Sequence, residues 1–220
     1  MTRYVDLTHP ISAGMQVFPG DPEVAFAPAL TLSEDGVSVV ALHLGSHSGT
    51  HIDAPSHSVD GGRTVSDISV DELSGEALIL HLTGAAPGEE ITFSRIADQI
   101  PDAVPPIVVL ATGWDRMIGS DAYLVHPYLA PDAAAELLQR GMRVLGADTL
   151  SPDPTLQADS FRLPVHDIVL GGDGLIVENL RGVSKLPARC WIGIFPLPLL
   201  DLDGAPVRAV ARTDGSLQEN

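Results

Sequence analysis

Proline and glycine occur along the whole chain, and their frequency restricts the fold more than any other feature of the sequence. The 220 residues include 18 prolines and 21 glycines. Because both residue types favour turns, their scatter predicts many turns between short elements. No internal repeat, low-complexity tract or linker-like change in composition divides the chain. We therefore expect one globular domain that spans residues 1–220.

The elements that the sequence predicts are mostly strands. Residues 37–44 alternate, with Val40, Leu42 and Leu44 on one face. This pattern predicts a half-buried strand that runs straight into the histidine-rich segment after it. Apolar runs predict further strands at residues 77–82, 106–111, 143–148 and 175–180. Residues 199–202 and 207–210 flank an Asp-Gly pair, which is typical of a β-hairpin.

One helix is predicted clearly, at residues 131–140. It begins with Pro131 and Asp132 and ends with Arg140, and Gly141 follows as a stop signal. Strands outnumber helices, and several of the strands adjoin through hairpins. The sequence therefore predicts a mixed, strand-rich α+β domain.

The charge balance excludes two classes of partner. The chain has 12 Lys and Arg against 29 Asp and Glu, a formal net charge of −17. A surface this acidic repels nucleic acid and anionic membranes, so we expect neither as a partner.

The most apolar stretch, residues 190–200, is short and broken by glycine and proline, whereas a membrane span needs about 20 apolar residues. Residues 1–12 show no signal-peptide pattern and Cys190 is the only cysteine, so we expect a cytoplasmic protein.

Histidines concentrate in one short segment, residues 47–57. The chain has eight histidines, and an even spread would put about 0.4 in a window of eleven residues. This window instead contains His47, His51 and His57, together with Asp53. Imidazole and carboxylate side chains in such density indicate a metal site.

The spacing within this segment supports the same interpretation. His47, His51 and Asp53 are all odd-numbered, so an extended chain would place them on one face. Gly49 on that face would leave room for an ion. Two imidazoles and a carboxylate suit Zn, Mn or Fe(II) with positions left for water and substrate. Pro55 ends the strand, and the turn there would bring His57 back over the ion. A strand with merely solvated polar side chains is the disfavoured alternative.

The motif His-x-Gly-Thr-His-x-Asp-x-Pro-x-His at residues 47–57 resembles the signature of the cyclase family of metal-dependent hydrolases, to which bacterial kynurenine formamidase belongs. Residues 146–151, 166–170 and 175–180 resemble further blocks of that family. The resemblance implies a dinuclear centre of divalent metal, with Zn (two ions) or Mn as the cofactor. It implies that His47, His51 and Asp53 hold one ion, that Asp53, His166 and Glu178 hold the second with Glu178 touching both, and that His57 is the general acid/base.

The resemblance also implies the fold and the activity. The fold would be the swivelling β/β/α type, and the chain would form a homodimer or homotetramer. The reaction would be hydrolysis of a small amide or lactam, with N-formylkynurenine giving kynurenine and formate in tryptophan catabolism. From the residues alone, His166 and Glu178 stay open between metal ligands and hydrogen-bonded structural groups.

The predicted substrate pocket departs from the formamidase pattern. Phe18, ahead of a Pro-Gly-Asp turn, stands where formamidases of the family have a substrate-packing tryptophan, and Ser58 stands where many have an aromatic residue. Trp114 is either a further pocket wall or a packing residue, and His43 could support the site from the strand before it. Cys190 is interpreted as a buried strand residue.

Three other functions stay open at this point. The site could open the ring of isatin, as manganese-containing relatives do. It could catalyse a metal-dependent elimination or dehydration, as a lyase or cyclase. The chain could also be a module that binds metal or ligand without turnover, although His57 argues against a purely structural site.

Overall fold

The computed structural model describes residues 2–155 and 162–213. Its strands are β1 (Arg3–Asp6), β2 (Ala25–Leu30), β3 (Val39–His43), β4 (His51–Asp53), β5 (Ser74–His81), β6 (Glu90–Ile91), β7 (Ile107–Ala111), β8 (Tyr128–Leu129), β9 (Val144–Ala147), β10 (Leu175–Glu178), β11 (Arg189–Pro196) and β12 (Gly204–Thr213). Its α-helices are α1 (Leu32–Asp35), α2 (Phe93–Ile96), α3 (Pro131–Gln139) and α4 (Pro164–Gly171). The mixed, strand-rich α+β prediction is thereby confirmed.

The main sheet closes into a barrel. Its strand order is β1-β12-β11-β5-β7-β9-β10-β4, and β12 also pairs with β4, which closes the seven strands from β12 to β4 and leaves β1 paired with β12 alone. Strands β5, β7, β9 and β10 run parallel to one another, whereas β4, β11 and β12 pair antiparallel to their neighbours. The short strand β4 therefore lies between β10 and β12, with hydrogen-bonded neighbours on both sides.

Apolar side chains fill both faces of this barrel. Ile52 of β4 and Val177 of β10 belong to the core inside the barrel. Ile176 belongs to a second core, which the strands form with helices α3 and α4 outside the barrel. Because neighbouring strand residues point to opposite faces, His51, Asp53 and Glu178 point towards the helices. The candidate site thus lies on the outer, helix-covered face.

The strand predicted at residues 37–44 exists as β3, but the half-buried environment predicted for it is wrong. Strand β3 pairs with β2 in a separate two-stranded sheet, and every residue of both strands is exposed. We call residues 25–43 the arm. His43 is exposed on the arm, so it does not support the site. The strand also stops before the histidine-rich segment, because residues 44–50 form an irregular turn.

The tight hairpin predicted around Asp203 and Gly204 is also wrong in its details. Strands β11 and β12 do form a hairpin, but residues 197–203 connect them and residues 199–202 are not a strand. Pro198 has no N–H to continue the ladder, which is consistent with the strand ending at Pro196. Strands β5, β7, β9 and β10 and helix α3 confirm the other predicted elements. Among the described residues, no helix is long and apolar enough to cross a bilayer.

Candidate metal centre and active-site cavity

Strand β4 places His51 and Asp53 side by side. The ring nitrogen Nδ1 of His51 lies 2.8 Å from the carbonyl oxygen of Gly49. Since a carbonyl only accepts, Nδ1 donates this hydrogen bond, and in the neutral ring the lone pair of His51 is therefore on Nε2. That Nε2 atom lies 3.3 Å from Asp53 Oδ1 and 3.3 Å from Glu178 Oε2. One imidazole nitrogen is therefore directed at two carboxylates.

Helix α4 supplies His166, and Asp153 fixes its orientation. Asp153 accepts hydrogen bonds from the backbone N–H groups of Val165 (2.9 Å) and His166 (3.0 Å) at the start of the helix, and from His166 Nδ1 (2.7 Å). The remaining nitrogen, Nε2, lies 3.4 Å from Glu178 Oε1 and 3.6 Å from Asp53 Oδ2. Neither Asp153 nor helix α4 was predicted from the sequence.

Three buried atoms at the centre of this cluster have no hydrogen-bond partner among the described residues: His51 Nε2, Asp53 Oδ2 and Glu178 Oε1. A buried polar atom without a partner is costly, and almost all such atoms in proteins find one. Three sets place one ligand atom per residue within 4.8 Å of each other: His47 with His51 and Asp53, Asp53 with His166 and Glu178, and His47 with His57 and Asp203. The donor atoms and their missing partners fit a divalent metal site.

The two buried carboxylates stay ionised. Burial alone would raise the pKa of Asp53, but the charge of His51 and the adjacent imidazoles of His166 and His47 hold it well below its usual value. For Glu178, burial and the charge of Asp53 raise the pKa, and His166 and His51 outweigh both. Anionic oxygen ligands suit a cation, so the electrostatics agree with the geometry.

His47 reaches the same cluster from the turn before β4. Its Nδ1 lies 2.7 Å from Asp53 Oδ1 and its Nε2 lies 2.8 Å from Asp203 Oδ2. The predicted single strand face for His47, His51 and Asp53 is wrong, because Gly49 has a φ of 68° and breaks the extended chain. The predicted space at Gly49 is wrong too, since a Cβ there would lie 3.2 Å from the side chain of Ile11. The glycine serves the turn instead.

His57 is brought over the cluster by a short 3-10 helix, Pro55–His57. Its ring centroid lies 4.1 Å from that of His47 and 5.7 Å from that of His166. Its Nδ1 lies 3.2 Å from Asp203 Oδ2. The turn predicted at Pro55 is confirmed, whereas Asp203 escaped sequence reasoning because its Asp-Gly pair was interpreted as a hairpin turn.

A cavity of about 570 Å³ opens beside the cluster. Its lining includes His47, His51, His57, His166 and Glu178, together with Phe18, Asp21, Ser58, Leu150, Arg162 and Leu163. Phe18 lines the cavity as predicted, whereas Trp114 is not among the described residues that line it. An apolar side and a ligand-rich side thus face one space large enough for a small molecule.

The chain belongs to the cyclase family. The family model described as putative cyclase matches residues 5–154 of this chain. The chain is 34% identical to kynurenine formamidase of Paracidovorax citrulli over 94% of this chain and 95% of that one. It is 28% identical to kynurenine formamidase of Geobacillus thermodenitrificans, over 98% and 100% of the two chains.

Solved structures share this fold. Isatin hydrolase A from Labrenzia aggregata, bound to benzyl benzoate, is 25% identical with a TM-score of 0.83 over 96% of this chain and 94% of that one. A structure described as a potential metal-dependent hydrolase with cyclase activity is 25% identical, with a TM-score of 0.78 over 98% and 100%. The swivelling fold expected from the resemblance is confirmed by this similarity.

Proposed function

We propose that this protein is a metal-dependent hydrolase of a small amide or lactam, and that its substrate is an aryl formamide of the N-formylkynurenine type. The observation that carries the proposal is the position of Asp53. Its carboxylate lies between His47 and His51 on one side and His166 on the other, and buried atoms of His51 and Glu178 in the same cluster have no hydrogen-bond partner among the described residues. Relatives of similar length are named kynurenine formamidase, which supports the substrate class.

His47, His51 and Asp53 would hold the first ion, and Asp53, His166 and Glu178 the second. Zinc is the proposed metal at both positions, with manganese as the alternative. Such ions supply two kinds of chemistry when bound, since they lower the pKa of a coordinated water and polarise a carbonyl.

The protein's own residues orient the ligands and supply the proton that the reaction needs. The Asp153 carboxylate and the Gly49 carbonyl accept the Nδ1 hydrogens of His166 and His51, which leaves the Nε2 atom of each ring directed at the carboxylates. In hydrolysis, water adds to the carbonyl carbon and the C–N bond breaks. The departing nitrogen then needs a proton. His57 lines the cavity and has its Nδ1 on Asp203, so its Nε2 is the atom that would give this proton.

Phe18 bears on the choice between an aryl formamide and a lactam as the substrate. An aromatic side chain on the cavity wall suits an aryl group, but phenylalanine offers less stacking area than tryptophan and no indole N–H. Ring opening of an isatin-like lactam is therefore the second candidate, and the similarity to isatin hydrolase A supports it.

The test compares N-formylkynurenine, formanilide and isatin as substrates of the metal-loaded protein, of chelator-treated protein and of Phe18→Trp. We expect turnover that chelator abolishes and metal restores. Phe18→Trp should raise kcat/KM for the aryl formamides relative to isatin. Full activity without metal would contradict the proposal, and unchanged selectivity in Phe18→Trp would remove Phe18 from substrate recognition.

A homodimer is the proposed assembly, and the arm is its proposed interface. Seven large apolar side chains of the arm are exposed: Phe26, Leu30, Leu32, Val37, Val39, Val40 and Leu42. An isolated two-stranded sheet is at best marginally stable in water. Two copies that cover each other's arms would bury on the order of 1,000 Å², the lower size range of specific interfaces.

A further inference from the structure

Asp203 contacts two of the histidines that line the cavity, His47 and His57. Its Oδ2 atom lies 2.8 Å from His47 Nε2 and 3.2 Å from His57 Nδ1, and its Oδ1 accepts a hydrogen bond from the Ser46 hydroxyl at 3.1 Å. Asp203 lies at the end of the loop before β12, far in sequence from both histidines. It is not among the described residues that line the cavity, so its contacts are to the site rather than to a bound substrate.

The backbone around Asp203 is fixed against the strand that carries the ligands. The Asp203 carbonyl accepts the Ala54 N–H at 2.8 Å, and Gly204 pairs with Asp53. A Cβ on Gly204 would lie 2.7 Å from His47 Cε1 and 3.0 Å from the Ile52 carbonyl oxygen. The His47 ring therefore lies directly over Gly204. Both residues of the Asp-Gly pair serve the same imidazole, one by contact and one by leaving space.

We propose that Asp203 is a positioning residue shared by a metal ligand and the general acid/base, an inference that rests on the proposed function. Both ring nitrogens of His47 face carboxylates, Nε2 towards Asp203 and Nδ1 towards Asp53. An ion would take the place of the Nδ1 hydrogen, and Nε2 would then keep its hydrogen on Asp203. In the same way, Nδ1 of His57 donates, which presents Nε2 to the cavity. Carboxylates that orient metal-bound histidines are a general feature of metal sites, and a third group commonly orients a catalytic base.

One carboxylate thus couples the two functions of the site. If Asp203 is lost, His47 can rotate away from Asp53 and His57 loses the partner that fixes its tautomer. Metal affinity and kcat should therefore fall together. KM should not change, because Asp203 itself is not among the described residues that line the cavity.

The test measures Co²⁺ binding to metal-free protein by titration, and kcat and KM of the Zn²⁺-loaded protein, for Asp203→Ala and Asp203→Asn. Asp203→Ala should weaken Co²⁺ binding and lower kcat by about 10–100-fold each, with unchanged KM. Asparagine keeps one acceptor oxygen without the charge, so Asp203→Asn should recover most of both, to within about fivefold of wild type. Asp201→Asn is the matched control, since Asp201 is an exposed residue of the same loop whose φ of 58° asparagine tolerates.

The possible outcomes distinguish a failure of the positioning role from a failure of the proposed metal-dependent function. Wild-type affinity and kcat in Asp203→Ala would overturn the positioning role while the metal-dependent function stands. Wild-type protein that binds no Co²⁺ would overturn both. Circular dichroism checks that each variant is folded. If Asp203→Ala does not fold, Asp203→Asn decides, and properties identical to those of Asp201→Asn would overturn the inference.

Discussion

The residues of the candidate centre differ in their contacts, and we expect them to differ in function. Asp53 is shared, since its Oδ1 lies near His47 and His51 while its Oδ2 faces His166. Glu178 completes the half that contains His166, and one of its oxygens has no hydrogen-bond partner among the described residues. The other half of the centre contains the imidazoles of His47 and His51. The two halves should therefore respond differently to mutation.

Glu178→Gln tests whether the second ion exists. Replacing the carboxylate by an amide removes an anionic ligand from one half and leaves His47, His51 and Asp53 in place. We expect metal content, measured by elemental analysis after dialysis, to fall from about two ions per chain to about one. Unchanged stoichiometry with intact fold would assign Glu178 a structural role and favour a centre with a single ion.

His57→Ala separates proton transfer from metal binding. His57 contacts Asp203 and lines the cavity, but it is not part of either set of proposed ligands. The variant should keep its metal and lose turnover by about 10²–10⁴-fold, the usual range for a general acid/base. His43→Ala is the matched control, because His43 is exposed on the arm. A loss of metal as complete as that of Asp53→Ala would make His57 a ligand.

At the scale of elements, the sequence predicted those that have a regular pattern. The apolar runs of β5, β7 and β9 and the terminal signals of α3 indicated strands and a helix that the structure contains. Alternation along His51, Ile52 and Asp53 correctly placed two polar residues on one face of β4. Local pattern could not reveal that residues 37–44 form an exposed arm, because alternation reports periodicity and not what covers a strand.

Long-range contacts explain what the sequence did not predict in the site. Asp153 and Asp203 are ordinary acids in turns, and they become part of the site only because helix α4 and strand β12 bring them to His166 and His47. Helix α4 is short, and only the proline at its first position marks it. The family resemblance supplied His166 and Glu178, for which residue pattern alone left two interpretations.

The arm gives a prediction at this scale. Val40 and Leu42 lie on the same face of β3 and are 50% and 63% exposed. Charges placed there would remain solvated in a monomer but would be buried in the proposed interface, at a high free-energy cost. Val40→Asp with Leu42→Asp should therefore convert the protein from a dimer to a monomer of 23.1 kDa, measured by light scattering after gel filtration.

Val70→Asp is the control for this experiment, since Val70 is 69% exposed and lies outside the arm. It should leave the dimer intact. A wild-type protein that is already monomeric at micromolar concentration would contradict the proposed interface, as would a double variant that retains the dimer mass.

The whole molecule connects the centre to stability, because its ligands come from elements far apart in sequence. Strand β4, helix α4 and strand β10 each contribute proposed ligands. An ion held by all three would bind the folded chain and not the unfolded one, and it would therefore stabilise the fold by mass action. Without an ion, protonated histidines supply part of the positive charge that the ion would bring. Burial lowers the pKa of His51 and His166, but neighbouring carboxylates outweigh it and raise the pKa of both well above the usual value.

These pKa shifts give metal stabilisation a direction with pH. A histidine whose pKa is raised by folding contributes stability that is complete below its unfolded pKa, about 6.5, and is lost as pH rises through the higher folded pKa. The contribution of His51 and His166 to the stability of the metal-free protein should thus be smaller at pH 8 than at pH 6. At pH 6 an ion must displace protons from these histidines, whereas at pH 8 it displaces fewer. The increase in Tm on addition of Zn²⁺ to chelator-treated protein, measured by calorimetry, should therefore be larger at pH 8. His166→Ala should reduce the increase, His43→Ala should preserve it, and an increase of equal size at both pH values would contradict the proposed ligands.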